Sequence, residues 1–89
     1  MTLRIEKSTD GGKTILRLTG RIRQEHLEEL SAQISAIKVQ IVIDIEEVAL
    51  VDADSVSFLG AMEARGIEIL NCSPYIREWI HRQNEEARS

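Results

Sequence analysis

The sequence contains a single cysteine, Cys72, which excludes an internal disulfide and is typical of a protein from a reducing compartment. It contains no apolar run of about 18 residues, the length that a membrane-spanning helix requires. Its amino terminus lacks the charged-then-apolar pattern of a secretion signal. We therefore expect a cytoplasmic protein that does not insert into a membrane.

Clusters of basic residues are also missing. Eleven Lys and Arg residues are scattered among fifteen Asp and Glu residues, and the formal net charge is −4. A surface that binds nucleic acid or an anionic membrane needs positive charge gathered on one side. We expect neither kind of partner.

The sequence offers no constellation of residues for catalysis. It has no Gly-rich phosphate loop, no nucleophile elbow and no Cys/His pairing. His26 and His81 stand apart from each other and from Cys72, so no spacing suits a metal site. We expect no catalytic residues, no metal and no cofactor.

The sequence does contain strands that alternate with helices, as in one small α/β domain. Its 89 residues, 43% hydrophobic and 29% charged, suit a single globular unit, which we place at 1–83 with a polar tail at 84–89 that is expected to fray. Apolar periodicity and turn residues predict the order ββαβαβα. The predicted strands are 3–6, 14–19, 39–45 and 67–71, and the predicted helices are 24–37, 54–65 and one that opens at Pro74 with Ser73 as its N-cap.

The third predicted strand indicates how the layers are arranged. Ile41, Ile43 and Ile45 share one face of this strand, whereas Gln40 and Asp44 make the other face half polar. A strand covered by helices on both sides would be apolar throughout. We therefore predict a four-stranded mixed α/β sheet, with an antiparallel first hairpin and with the helices mainly on one face.

The segment 41–60 carries the most specific signal. A buried strand is followed by an acidic turn, an apolar triplet, two aspartates one residue apart and the start of a helix. This layout resembles the signature segment of the STAS domain family, the fold of the bacterial anti-sigma factor antagonists. Segments 16–22 and 69–74 also resemble that family's second strand and its Ser-Pro step into a helix.

The resemblance assigns roles at the corner between the third strand and the second helix. Asp52 matches the family's acidic residue, and Ala53 its first serine. Asp54 stands at the position of the phosphorylated serine, so the chain looks like a short member that lacks the phosphorylatable residue. Ser55 and Val56 stand at the glycine and leucine that follow. The match stops where fuller members add a strand and a helix, which favours an uncovered edge and a homodimer.

The same resemblance implies a non-catalytic signalling module that regulates transcription by partner switching. It would bind a kinase-like anti-sigma factor and so free a sigma factor. In serine-bearing members phosphate at the corner weakens that binding, and Asp54 carries about one charge where phosphoserine carries nearly two. Two alternatives stay open: an accessory STAS subunit of a transporter or signalling complex, and a small-molecule or nucleotide sensor, which a polar pocket at the corner would favour.

The residue types at the corner also allow simpler interpretations. An aspartate at a helix start caps free N–H groups, so Asp54 is expected to be a cap, a partner contact or both. Ser55 and Ser57 are possible substitute phosphorylation sites, but a simple role as small first-turn residues is the favoured interpretation. The helical wheel turns Ser55 inward and Ser57 outward.

The outer face of the predicted second helix consists of small residues. Such a face suits either a docking partner or tight packing against a neighbouring helix. Together with the corner, it gives a predicted partner-binding surface of Asp52, Ala53, Asp54, Ser55, Ser57, Gly60, Ala61 and Ala64.

Overall fold

The computed structural model describes residues 3–88, with side chains described through residue 85. Its strands are β1 (Leu3–Asp10), β2 (Lys13–Ile22), β3 (Gln40–Val51) and β4 (Glu68–Leu70). Its helices are α1 (Gln24–Ala36), α2 (Ala53–Ala64) and α3 (Pro74–Arg88). Among these, no helix is long and apolar enough to cross a membrane.

The first two strands form the expected antiparallel hairpin. Asp10 pairs with Lys13 across a two-residue turn. Gly11 and Gly12 both have positive φ, at 58° and 84°. A tight hairpin turn of this hand needs positive φ at both central positions, and glycine adopts it without a Cβ clash.

The remaining pairs are parallel, and the sheet order is β1-β2-β3-β4. Buried side chains of all three helices join one cluster with Leu16 and Ile43 of the sheet. Val42 and Asp44, which project from the opposite face of β3, lie outside that cluster. This arrangement confirms the predicted four-stranded mixed α/β fold.

Three predicted strand ends fall short of the observed ones, and the first of these is β1, which continues past Glu6 to Asp10. β2 continues past Gly20 to Ile22, and β3 runs through the supposed acidic turn to Val51. Two register shifts in the β2–β3 pairing accommodate the extra length, and Gly20 takes a φ of 108° there. Irregularities of this kind bend a strand without ending it. The extension also contributes Val48 to the edge of the core.

The helix boundaries follow the predicted capping residues with one exception. The Ser73 hydroxyl accepts a hydrogen bond from the Ile76 amide at 3.3 Å, so it caps α3 as predicted. Gly66, with φ of 96°, ends α2 in a Schellman arrangement. The exception is the start of α2, where Asp52 and not Asp54 is the N-cap.

The polar carboxyl-terminal segment is helical as far as Arg88, although we expected it to fray from Asn84 onward. Ser89 lies outside the described residues. On the same helix Trp79 packs against the core, whereas Tyr75 is 62% exposed. Their ring centroids are 5.8 Å apart.

Candidate protein-binding site at the β3–α2 corner

One carboxylate organises the corner. Oδ1 of Asp52 accepts a hydrogen bond from the Ser55 amide at 2.9 Å, which satisfies a free N–H of the first turn of α2. Oδ2 of Asp52 accepts a hydrogen bond from the Gln24 amide at 2.9 Å, at the first residue of α1. Asp52 therefore binds the amino-terminal ends of two helices at once.

Ser55 completes this arrangement from inside the protein. Its hydroxyl lies 2.6 Å from Oδ1 of Asp52 and 2.9 Å from the carbonyl oxygen of Ile22, and its single proton serves one acceptor at a time. The side chain is fully buried. Ser55 is thus a structural link between β2 and α2. Its burial contradicts both roles predicted for it, as a phosphorylation site and as a partner contact.

The electrostatics of Asp52 agree with a structural role. The hydrogen bond from the Ser55 hydroxyl, together with those from the Ser55 and Gln24 amides, holds the pKa of Asp52 below the ordinary value of 3.8. Partial burial acts in the opposite direction and is outweighed. The carboxylate is therefore kept ionised where both helix dipoles favour a negative charge.

Asp54 has a different environment from Asp52. It is an exposed residue in the first turn of α2, one position after Ala53, which is also exposed. Among the side chains described, through residue 85, and the described backbone amides, none holds its carboxylate in a hydrogen bond or ion pair. The prediction that Asp54 caps the helix was wrong, because the cap position lies two residues earlier.

The outer face of α2 that consists of small residues has a part that contacts α3 and a part that is exposed. The Ser57 hydroxyl donates a hydrogen bond of 2.7 Å to Oε1 of Gln83, on α3. Gly60 is buried, and a Cβ atom placed on it would lie 3.0 Å from Oδ1 of Asn84 and 3.5 Å from Cγ2 of Ile80. The small residue at Gly60 allows α3 to approach α2, which contradicts its predicted role as a partner contact.

Ala61 and Ala64 remain as the exposed part of that face. Ser57 is exposed as well, although its hydroxyl is bonded to α3. Of the predicted partner-binding residues, the structure therefore leaves Ala53, Asp54 and these three at the surface. Whether they bind a partner stays a prediction.

The extended end of β3 adds residues that the sequence pattern did not reveal. Leu50 is 51% exposed and lies beside Arg21, its partner in the β2–β3 pairing. Arg21, Arg23 and Leu50 also line a shallow groove of about 180 Å³ together with Asp52. We define the exposed residues Arg21, Arg23, Leu50, Ala53 and Asp54 as the corner surface. Leu50 was missed because its segment was interpreted as a loop that follows a turn.

A second polar cluster lies on the sheet face opposite the helices. Asp44 is 5% exposed, and it accepts hydrogen bonds from the Glu46 amide at 3.0 Å and from Nδ2 of Asn71 at 3.1 Å. Arg17 lies 3.5 Å from its other oxygen. Burial raises the pKa of Asp44, but these hydrogen bonds and the charge of Arg17 outweigh burial and lower it. This network holds Asn71, whose φ is 57°, in the turn before α3.

No group of three or more His, Cys, Asp and Glu side chains that could hold a metal occurs in the described part of the chain. The corner groove is also smaller than the roughly 300–1,000 Å³ of typical small-molecule sites. The corner is thus a shallow, open surface.

Comparison with known proteins bears on the fold. No protein-family model matches the chain, and no curated protein sequence matches it. Among solved structures, it is similar to that of the anti-sigma factor antagonist SpoIIAA in its unphosphorylated form. The two chains are 25% identical, with 86% of this chain and 79% of that one covered and a TM-score of 0.62. The chain therefore has a STAS-like fold.

Proposed function

We propose that this protein is a non-catalytic signalling module that acts as an anti-sigma factor antagonist does, by binding a protein partner through the corner surface. The likeness to SpoIIAA supports this class of function. The proposal rests on a difference between two aspartates. The carboxylate of Asp52 is hydrogen-bonded to the amino-terminal ends of both helices, whereas Asp54 is exposed and unpaired within the described residues.

The chemistry of the corner surface suits a protein partner. Leu50 offers exposed apolar area, and the flanking Arg21 and Arg23 offer cations that can pair with acidic groups. Exposed apolar residues combined with arginine are characteristic of protein interfaces. Asp54 adds one permanent negative charge beside them, so a partner must accommodate mixed charge around an apolar centre.

The partner expected for such a surface is a kinase-like anti-sigma factor. In this proposal Asp54 stands where serine-bearing members are reversibly phosphorylated, so the charge at the corner is constant and binding is set by partner availability and not by a phosphorylation cycle. A sensor function is less well supported, because the corner groove is small and open.

The test is a binding titration against a kinase-like anti-sigma factor from the same genome. Asp54→Ser and Asp54→Asn should each change the affinity at least about tenfold, which corresponds to about 1.4 kcal/mol, because a fixed charge is removed from the contact. Asp54→Ser should in addition give the anti-sigma factor a serine to phosphorylate. Glu28→Gln, which removes an exposed charge from α1, is the matched control and should bind as the parent does.

Thermal melts on the same variants separate binding from folding. Asp54 contributes only a first-turn charge, which is worth about 0.5 kcal/mol, so both variants should melt within a few degrees of the parent. Unchanged affinity in both Asp54 variants would refute the proposed site. Absence of binding by the parent to any kinase-like anti-sigma factor would refute the proposed partner, and capture by a transporter subunit would favour the accessory role.

A further inference from the structure

β1 is the outer strand of the sheet at the end opposite β4, and it pairs only with β2 among the described elements. Its register with β2 is unbroken over eight residues, from Leu3 opposite Gly20 to Asp10 opposite Lys13. The segment contains no proline. Natural edge strands are commonly shortened, bulged, broken by proline or charged, especially with lysine; of these protections β1 has only its charged residues, Lys7 among them.

The direction of its outer hydrogen-bonding groups follows from the hairpin turn. Residues that flank a two-residue turn form a hydrogen-bonded pair, so the peptide groups of Asp10 face β2. The direction alternates along a strand. The N–H and C=O groups of Leu3, Ile5 and Lys7 therefore point outward, where another strand could use them.

The charged residues of β1 indicate which strand could pair with its outer edge. Arg4 and Glu6 project from the same face of β1 and both are exposed. Nη2 of Arg4 lies 3.1 Å from Oε2 of Glu6. A second copy of β1 laid antiparallel, with Ile5 opposite Ile5, places each Arg4 opposite Glu6 of the other copy. If the pairing is instead centred on residue 4, Arg4 lies opposite Arg4 of the other copy. If it is centred on residue 6, Glu6 lies opposite Glu6. Opposite charges across a strand pair are favourable and like charges are unfavourable.

We propose that two copies of this chain pair along β1, with Ile5 at the twofold axis, and join their four-stranded sheets into one. Around the twofold axis, two copies each of Arg4 and Glu6 then form a cluster of four charges of alternating sign. Leu3 lies opposite Lys7 of the second copy, where the lysine stem can cover it. The proposal is independent of the corner surface, because antiparallel pairing places the two corners at opposite ends of the joined sheet.

Charge reversal tests the register by sedimentation equilibrium over a range of protein concentrations. Arg4→Glu and Glu6→Arg should each weaken self-association at least about tenfold, because symmetry repeats the like-charge pair twice. A mixture of the two single variants should associate again, since every position 4 then faces an opposite charge. Lys38→Glu changes net charge as Arg4→Glu does but lies in the α1–β3 loop, and it should associate as the parent does.

Amide hydrogen exchange supplies a second readout on the parent protein. The amides of Ile5 and Lys7 should become protected as concentration rises, whereas those of Arg4 and Glu6, which face β2, should be protected throughout. A parent that stays monomeric at all concentrations overturns the proposal. A dimer that ignores both charge reversals, or in which the outward amides of β1 still exchange freely, also overturns it, because the contact then lies elsewhere.

Discussion

The carboxylate of Asp52 binds the backbone amide of Gln24, 28 positions earlier in the chain, at 2.9 Å. The same side chain caps its own helix through the Ser55 amide. Two helices that meet the sheet at one corner thus share one anionic group. The neighbouring Asp54, which resembles it in sequence, has no comparable contact within the described residues.

Replacing these two aspartates by alanine should have unequal effects on stability. Asp52→Ala removes an N-cap and the partner of the Gln24 amide, and we expect the free energy of unfolding to fall by about 1–2 kcal/mol. Asp54→Ala should cost about 0.5 kcal/mol or less. Urea denaturation followed by circular dichroism measures both. Asp52→Asn should fall between them, because its amide nitrogen cannot accept from Gln24. A larger loss for Asp54→Ala than for Asp52→Ala would contradict the assignment of the cap.

Acid should destabilise the protein through Asp44 and Asp52. Both have a pKa below 3.8 in the folded state, so near and below that value the unfolded chain binds more protons than the folded one. Their stabilisation is fully present above the unfolded pKa of about 3.8 and is lost as pH falls through the folded pKa values. As the pH is lowered through this window, the free energy of unfolding of Asp52→Asn should decrease less steeply than that of the parent. An equally steep fall would show that Asp52 does not take part.

Aspartate substitutions at the two serines of α2 should separate the buried site from the exposed one. Ser55→Asp places an unpaired charge in a fully buried position beside Asp52, and should cost more than about 3 kcal/mol or prevent folding. Ser57→Asp loses only an exposed hydrogen bond to Gln83 and should cost about 1 kcal/mol or less. Thermal melts compare the two. Similar melting temperatures would mean that Ser55 is more accessible than its burial indicates.

Gly60 should respond to side-chain size as an internal packing position. Gly60→Leu forces apart α2 and α3 against Ile80 and should cost about 1–3 kcal/mol. Gly60→Ala should stay within about 1 kcal/mol of the parent, since the higher helix propensity of alanine offsets crowding against the far end of the Asn84 side chain. Ala61→Leu, on the exposed side of the same helix, is the control and should be nearly neutral. A stable Gly60→Leu protein that fails to bind its partner would instead place Gly60 in the interface.

The sequence predicted those features that depend on local pattern. The Gly11-Gly12 turn, the Ser73-Pro74 helix start and the half-polar β3 each follow from residue types a few positions apart. The inward direction of Ser55 also followed from helical periodicity. These signals were sufficient for the order of elements and for the fold class.

The features that were mispredicted depend on distant contacts. The sequence has an aspartate at both candidate cap positions, and residue type alone does not show that Asp52 is the one that accepts from the Ser55 amide and also from Gln24 on another helix. Glu46 and Glu47 suggest a turn, yet they are exposed residues of a strand that β2 supports through irregular pairing. A small residue such as Gly60 gives the same pattern whether it contacts a partner or a helix of its own chain.

Trp79 and Tyr75, the single tryptophan and the single tyrosine of the sequence, both belong to α3. Intrinsic fluorescence therefore reports on one helix and its contact with the core, while the sheet and α1 contribute nothing to that signal. Far-ultraviolet circular dichroism reports on the whole backbone. If the two signals change together during denaturation, the domain unfolds as one cooperative unit. If the emission changes first, α3 detaches while the sheet persists, and the chain carries a built-in optical reporter of that partial opening.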